Sequence, residues 1–465
     1  SAELTNMWSG YRRVTLIPPY SLPLVMDRTR YEGVARRDFV KSAVAIGGTS
    51  ALTACLDRES SQMERATGTE TERDEGLSVP RPDDPGDRPT ALHRWDSHLV
   101  RDANGNTVLP RHQVVLGLSY TGTAPPTEGE RNQVKEALRT LDRAFQWGAG
   151  DGADTGVSTG LLWLFGYSAN YFEYVGAAVP DRITTPESLV SAVGEDHAKA
   201  DGFDAVLVLT GDLGSIPLAA EAALWGERDT LNGIEPPATL NGVFERTARR
   251  TGVTGKGIVA EELDNESVPE DAPLSMGYRS GFGDNQASED AVTIDTGPFE
   301  GGTTLSVSRL HIDLDRWYEQ STEERAGEMF CPAHDTERLG DTAESLGNSS
   351  GITPEDAERI SETAATHGRI GHSQKLATAR DDEFRPRILR RSEGVATDVA
   401  EGAGFNFTSI QADIQEFVAV RQAMNPSGHD VDVPAENHGI VDYLDTRGRT
   451  ALVVPPRDRI ALPTP

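Results

Sequence analysis

The sequence predicts an α+β fold made of two ferredoxin-like halves packed together, and three observations carry that prediction. Apolar runs of strand length alternate with amphipathic helical segments, and the alternation occurs twice along the chain. The 465 residues, 37% of them hydrophobic, supply material for a sizeable core. Two cysteines, Cys55 and Cys331, leave neither a disulfide framework nor a cysteine-rich metal cluster to staple a smaller scaffold.

Read in chain order, the first element is not part of that fold. Arg36 and Arg37 precede Phe39, Lys41 and a small, apolar run from Ser42 to Ala54 that ends in Leu52-Thr53-Ala54-Cys55. The run is too short to cross a bilayer and has the length of an export signal's central region. It resembles a twin-arginine signal followed by a lipoprotein cleavage box. That resemblance implies transfer by the twin-arginine export machinery, lipidation of Cys55 and an anchor in the cell membrane with the protein facing outward. Met26 gives a signal of ordinary length, which makes residues 1 to 25 an over-long start. From 56 to 91 the chain is rich in Ser, Thr, Glu, Asp, Arg and Pro, the composition of a disordered acidic tether, so folding is expected to begin near Leu92. One acyl chain anchors only marginally, so stable attachment calls for two on Cys55.

The N-terminal half is expected over residues 92–250. His112–Tyr120 reads as a strand. Thr127 and Glu130 then form a capping box that opens a helix with Val134, Leu138, Leu141 and Phe145 on one face. Two further strands end at Tyr167 and Gly211, the second followed by the helical Ser215–Glu227. In the C-terminal half, 251–465, a strand from Thr303 to Leu314 precedes a helix boxed by Ser321 and Glu324. Phe405–Gln411 precedes a helix carrying Ile414, Phe417 and Val418, and the run from Thr450 to Pro456 supplies a last strand. Trp317 and Tyr318 follow the Thr303 strand, where an aromatic pair serves packing or relays an electron.

Charge narrows the partners. Seventy-four acidic against 44 basic residues leave a formal charge of −30, which argues against a phosphate-binding surface and excludes nucleic acid as a partner of choice. The acids are spread through almost every segment, the pattern of a solvated surface adapted to high salt.

The chemistry-bearing motifs lie in the second half. Gly281-Phe-Gly283-Asp284-Asn285-Gln286 is a turn whose two glycines let a backbone approach a flat ligand. His372 stands eighteen residues before Arg390, with Arg391 beside it and His367 five positions upstream. Each residue alone has an ordinary reading: a turn, a satisfied histidine, an ion-pairing arginine. In order and spacing, the Gly-x-x-Asp turn, the stretch from Gly297 to Trp317, His372 with Arg390, and the stretch from Phe407 to Asn425 together resemble the dye-decolourising peroxidases. The resemblance runs from about His112 to Arg457.

It implies a haem b enzyme with the haem in the C-terminal half, reducing hydrogen peroxide and oxidising an organic or protein electron donor. His372 would be the proximal iron ligand through a neutral imidazole nitrogen. Arg390 and Asp284 would act on the distal face, with Gly281 and Gly283 lining the cofactor, and Asp413 either accepts the second N–H of His372 or serves as the acid at the start of its own helix. His367 and Arg391 stand as alternatives to His372 and Arg390. Two departures mark this chain: Asn285 replaces the last glycine of the family's Gly-x-x-Asp-Gly, and Ser373-Gln-Lys-Leu replaces the usual Asn-Pro after the histidine. Two further readings of the same pocket are a haem-binding or iron-acquisition lipoprotein, akin to a deferrochelatase, and a haem-free relative acting as a surface interaction protein. Oligomerisation is compatible with all three. Asn265, Asn348 and Asn406 are glycosylation sequons if the chain is exported, the last discounted because it falls in a strand.

Overall fold

In a computed structural model of the chain, residues 77–148, 157–255, 268–334, 339–340, 342–392, 395–396, 404–429 and 431–464 are described. Arg36, Arg37, Cys55 and Asn265 lie outside them. A hairpin of β1 (Val100–Arg101) and β2 (Thr107–Val108) precedes nine longer-range strands: β3 (His112–Tyr120), β4 (Leu162–Ser168), β5 (Ala205–Gly211), β6 (Phe244–Val253), β7 (Thr303–Ile312), β8 (Leu389–Ser392), β9 (Val395–Ala396), β10 (Gly404–Gln411) and β11 (Leu444–Val454). Their order is β7-β11-β4-β5-β3-β6-β9-β10-β8, every pair is antiparallel, and β10 also pairs with β7. The two predicted halves therefore share one sheet that closes into a barrel, with β8 as a spur on β10. Closure removes the exposed strand edges that would otherwise seek partners.

The predicted strands and helices of both halves appear where the apolar periodicity placed them. The helix Glu128–Ala144 has its capping box, with Glu130 N–H donating to Thr127 Oγ1 at 3.2 Å and Thr127 N–H to Glu130 Oε2 at 2.6 Å. It buries Val134, Leu138 and Leu141 against the sheet, each worth about 1.5–3 kcal/mol of burial. β6 was not anticipated, because its sequence FERTARRTGV reads as a charged loop. Two of its three arginines are compensated on the outer face: Arg246 and Arg249 both reach Glu221, at 3.1 and 2.9 Å, and Arg246 lies over the Trp225 ring. A division of the chain at residue 250 cuts this strand, so the boundary between halves belongs after Val253.

Packing also begins earlier than Leu92. Leu77 is buried, Val79 exchanges two backbone hydrogen bonds with the Asn232 carboxamide, and Arg88 donates to the carbonyl of Phe145 at 2.7 Å. Trp317 and Tyr318 are packing residues: both are buried, with Trp317 Nε1 donating to Met276 O at 3.0 Å and Tyr318 Oη to Ser275 O at 2.8 Å. No helix among the described residues is long and apolar enough to cross a membrane.

A buried charge cluster joins the halves outside the barrel. Glu195 accepts from Arg449 Nε at 2.9 Å and Nη2 at 2.8 Å, from Thr446 at 2.9 Å and from Arg421 at 3.2 Å. Burial raises the pKa of its carboxyl, but the Arg449 hydrogen bonds and charge outweigh that and hold it below the usual range. Removing Glu195 leaves the almost fully buried Arg449 without its counter-ion. Glu195→Ala is expected to lower unfolding free energy by about 3–5 kcal/mol, read as a fall in urea midpoint. An unchanged midpoint would show that the halves do not depend on this joint.

Candidate functional site

Asp284 sits in a short 3-10 turn, Gly283–Asn285. Gly281 has φ +75°, the left-handed region, and a Cβ there would meet no atom, so backbone conformation and not crowding requires glycine. Gly283 donates its N–H to Asn106 Oδ1 at 2.8 Å. Asn106 is fully buried in the β1–β2 hairpin and also donates to Gly347 O at 2.9 Å. Asp284 donates its own N–H to Asn348 O at 3.0 Å and accepts from Asn348 Nδ2 at 3.2 Å. Arg380 reaches the Asp284 carbonyl at 3.4 Å. Asn285, at the departure from the family pattern, does not adopt left-handed geometry. Its side chain instead exchanges two hydrogen bonds with Ser350, at 2.8 and 2.9 Å, and locks the turn to the 347–350 loop.

Arg390 lies on β8, opposite Ser409 of β10. Its backbone N–H donates to Gln286 Oε1 at 2.9 Å, and the Ala287 N–H donates to Ile388 O at 3.0 Å, so the acidic turn and the arginine strand are stitched together. Strand alternation sends Arg391 to the opposite face. There it is 1% exposed, over the Trp95 ring, paired with Asp96 at 2.9 Å and Glu289 at 2.5 Å. Arg391 is consumed by structure, and Arg390 faces the other side of the strand, within electrostatic reach of His372.

His372 opens the helix His372–Thr378. The preceding Gly371 packs against the Phe330 backbone where a Cβ would collide. Solvent touches part of the His372 side chain, yet protein atoms surround the ring densely enough to hold its pKa down to about 3, with Lys375 and Arg390 adding repulsion. The imidazole is therefore neutral at physiological pH, and it lies within electrostatic reach of Arg390. Its Nδ1 is shielded and has no hydrogen-bond partner. The residues that replace Asn-Pro anchor this helix. Gln374 Nε2 donates to Asp356 O at 2.7 Å, and Lys375 Nζ donates to Met424 O at 2.7 Å and to His438 O, both side chains being fully buried. Burial, with repulsion from Arg421, brings Lys375 down to about 7.

The structure leaves His372 within electrostatic reach of Arg390 and links the Asp284 turn to the Arg390 backbone through Gln286. It does not bring Asp413 to His372. Asp413 caps the helix Ile414–Ala423 through Gln415 N–H at 2.9 Å, because an acid at that position satisfies the exposed amides of its own helix. His367 is exposed at the end of the helix Ile360–His367. Between the His372 helix and the Arg390 strand lies an apolar bed of Leu376, Ala379, Ile388, Phe407, Val420 and Ala423. A neutral imidazole beside an apolar cluster, within electrostatic reach of a cation, is compatible with a flat, largely apolar group carrying a metal. Sequence reasoning missed Gln286, Asn106 and Asn348. Only Gln286, two residues past Asp284, carried any signal.

Residues 110–456 match the model of a family described as "Family of unknown function (DUF7405)". No curated protein matches the sequence. Among solved structures the chain is similar to a dye-decolorizing protein from V. cholerae, at 13% identity and TM-score 0.51, covering 79% of this chain and 98% of that one. A dye-decolorizing peroxidase from Bacteroides thetaiotaomicron VPI-5482 gives 13% identity and TM-score 0.47, with 79% and 98% covered. A DypB variant from Rhodococcus jostii RHA1 in complex with heme gives 15% and 0.47, with 77% and 96% covered. The first likeness shows the fold: two ferredoxin-like halves packed as one body.

The depressed His372 pKa makes a signed prediction. In the unfolded chain this imidazole binds a proton below about 6.5, whereas in the fold it stays neutral to about 3. Its contribution is thus intact above pH 6.5 and is lost as pH falls from there toward 3. Thermal midpoints measured from pH 8 to 4 are expected to fall less steeply for His372→Leu than for the parent. Parallel curves would place the ring in a more open setting.

Proposed function

We propose that this chain, which belongs to the family of unknown function DUF7405, is a haem-dependent peroxidase that reduces hydrogen peroxide and oxidises an organic or protein donor. The observation that carries the reading is an imidazole held neutral by dense packing, within electrostatic reach of Arg390 and beside the apolar cluster of Leu376, Ala379 and Ile388. His372 would hold haem b by its ring, as a neutral nitrogen must for ligation. When bound, haem supplies the redox centre that passes two electrons to peroxide.

The chain's own groups then have separate tasks. Asp284 is a carboxylate fixed by Asn348 and reachable by solvent. It takes a proton from one peroxide oxygen and returns it to the other, so that the departing oxygen leaves as water. Arg390 offers a permanent cation on a strand held at its backbone by Gln286, and opposes the negative charge that grows as the O–O bond opens. The apolar bed excludes water from the cofactor face.

A specific feature favours a second reading. With Asp413 engaged as a helix cap, no group among the described residues accepts the Nδ1 proton of His372 to raise its electron donation, as suits a haem-binding or iron-acquisition protein with little turnover. Purified protein supplied with haem is expected to show a Soret band, and its absence would refute both readings and leave a haem-free interaction protein. His372→Ala should lose haem or its histidine-ligated spectrum. Asp284→Asn and Arg390→Leu should keep haem while reacting with peroxide about a hundred-fold or more slowly. Distal variants that react at the parent rate would instead favour the carrier.

The export reading has its own test. Arg36→Lys with Arg37→Lys is expected to retain the protein in the cytoplasm, and Cys55→Ala to release it to the medium. Normal export of the double lysine variant would refute twin-arginine transfer.

A further inference from the structure

One side chain fastens the acidic turn to the arginine strand, and its other end has no partner. Gln286 Oε1 accepts the Arg390 N–H at 2.9 Å. That bond fixes which way the carboxamide points, because an amide N–H can face only the oxygen of the group. Nε2 must then project away from the Arg390 backbone. It is shielded from solvent and has no acceptor. The nearest catalytic carboxylate does not satisfy it: Asp284 Oδ1 is turned to Asn348, at 3.2 Å. Neighbouring polar side chains are likewise engaged elsewhere, Asn285 with Ser350 at 2.8 Å and Asn106 with Gly347 at 2.9 Å.

A shielded amide donor without an acceptor forfeits the hydrogen bonds it made to water, and native structures keep such groups few. Here the side chain that carries the donor is two residues from Asp284 and, through its oxygen, hydrogen-bonded to the backbone of Arg390. We propose that Gln286 is a third distal group: its Nε2 donates a hydrogen bond to the small oxygen acceptor on which Asp284 and Arg390 act, hydrogen peroxide or its anion. Its Oε1 meanwhile holds the Arg390 strand at a set distance from the turn. The inference rests on the peroxidase reading above and adds a specific donor to it. A carboxamide suits the task, since it cannot lose its protons at working pH and so stays a donor whether Asp284 is charged or neutral.

Two substitutions separate the two ends of the side chain. Gln286→Glu keeps an oxygen for the Arg390 amide and removes the donor. Gln286→Met keeps the length and removes both. Fluoride, a small acceptor that cannot donate, is titrated into the ferric haem protein and followed by its absorption spectrum, and thermal midpoints are taken on the haem-free chains. Both variants are expected to bind fluoride about ten-fold or more weakly, while only Gln286→Met loses thermal stability. Unchanged fluoride affinity in both variants overturns the inference, as does a loss confined to Gln286→Met and accompanied by a lower midpoint, which marks a purely structural tie. A parent protein without a Soret band overturns the peroxidase reading and this inference together, whereas a parent with that band and insensitive variants overturns this inference alone.

Discussion

Everything in this molecule hangs on β10 being hydrogen-bonded along both edges. On one side it meets β7 over eight residues, Gly404 to Gln411, which closes the barrel. On the other it meets β8 and β9, which bring Arg390 beside Ser409. Because a strand's side chains alternate, one face of β10 sends Asn406, Thr408 and Ile410 inward. The other sends Phe407 against Phe417 of the covering helix, ring centroids 6.4 Å apart. The same eight residues thus seal the barrel and floor the candidate site, and neither can shift register without the other.

The chain's excess of acid conceals how far its interior is organised by arginines. Arg391, Arg449 and Arg457 are each sheltered, paired with a carboxylate and laid over an aromatic ring: Trp95 for Arg391, Phe417 for Arg449, Trp147 and Trp163 for Arg457. A guanidinium tolerates this setting because it is weakly hydrated, planar and always charged. Buried arginines paired with carboxylates build the frame, and Arg390, the residue before Arg391 on the same strand, is turned to the other side. The surface charge that reads as adaptation to salt and the internal charge that reads as architecture are separate populations.

How much of this was visible in the sequence follows from which forces act locally. Capping boxes at Thr127 and Ser321, and the apolar periods of β3, β5, β7 and β10, are short-range signals, and they located those elements. β6 was hidden because Glu221, which neutralises two of its arginines, is more than twenty residues away. Joining of the two halves into one barrel was hidden because β4–β11 and β6–β9 pairing is long-range by nature. At the site, it was the resemblance to dye-decolourising peroxidases that named His372, Arg390 and Asp284. The fate of Asp413 depended on which amide it would meet first, and the amide of its own helix is the nearer. Gln286 and Asn106 act through contacts that bridge 104 and 177 residues of sequence, which no local pattern records.

The seam between β4 and β11 sets an order of events in time. β4 is apolar and buried along its whole length, LWLFGYS, and one edge of it is covered only when Leu452 and Val453 arrive opposite Ser168 and Tyr167. Some 280 residues separate those partners, so during synthesis that edge waits, unpaired, until almost every strand has been made. Loop closure over such a span is slow. An uncovered apolar edge in the interval is a template for intermolecular pairing. The closed barrel, whose seam is pinned at Ser168 and Tyr167 by its last strand, therefore depends on protection during its own assembly.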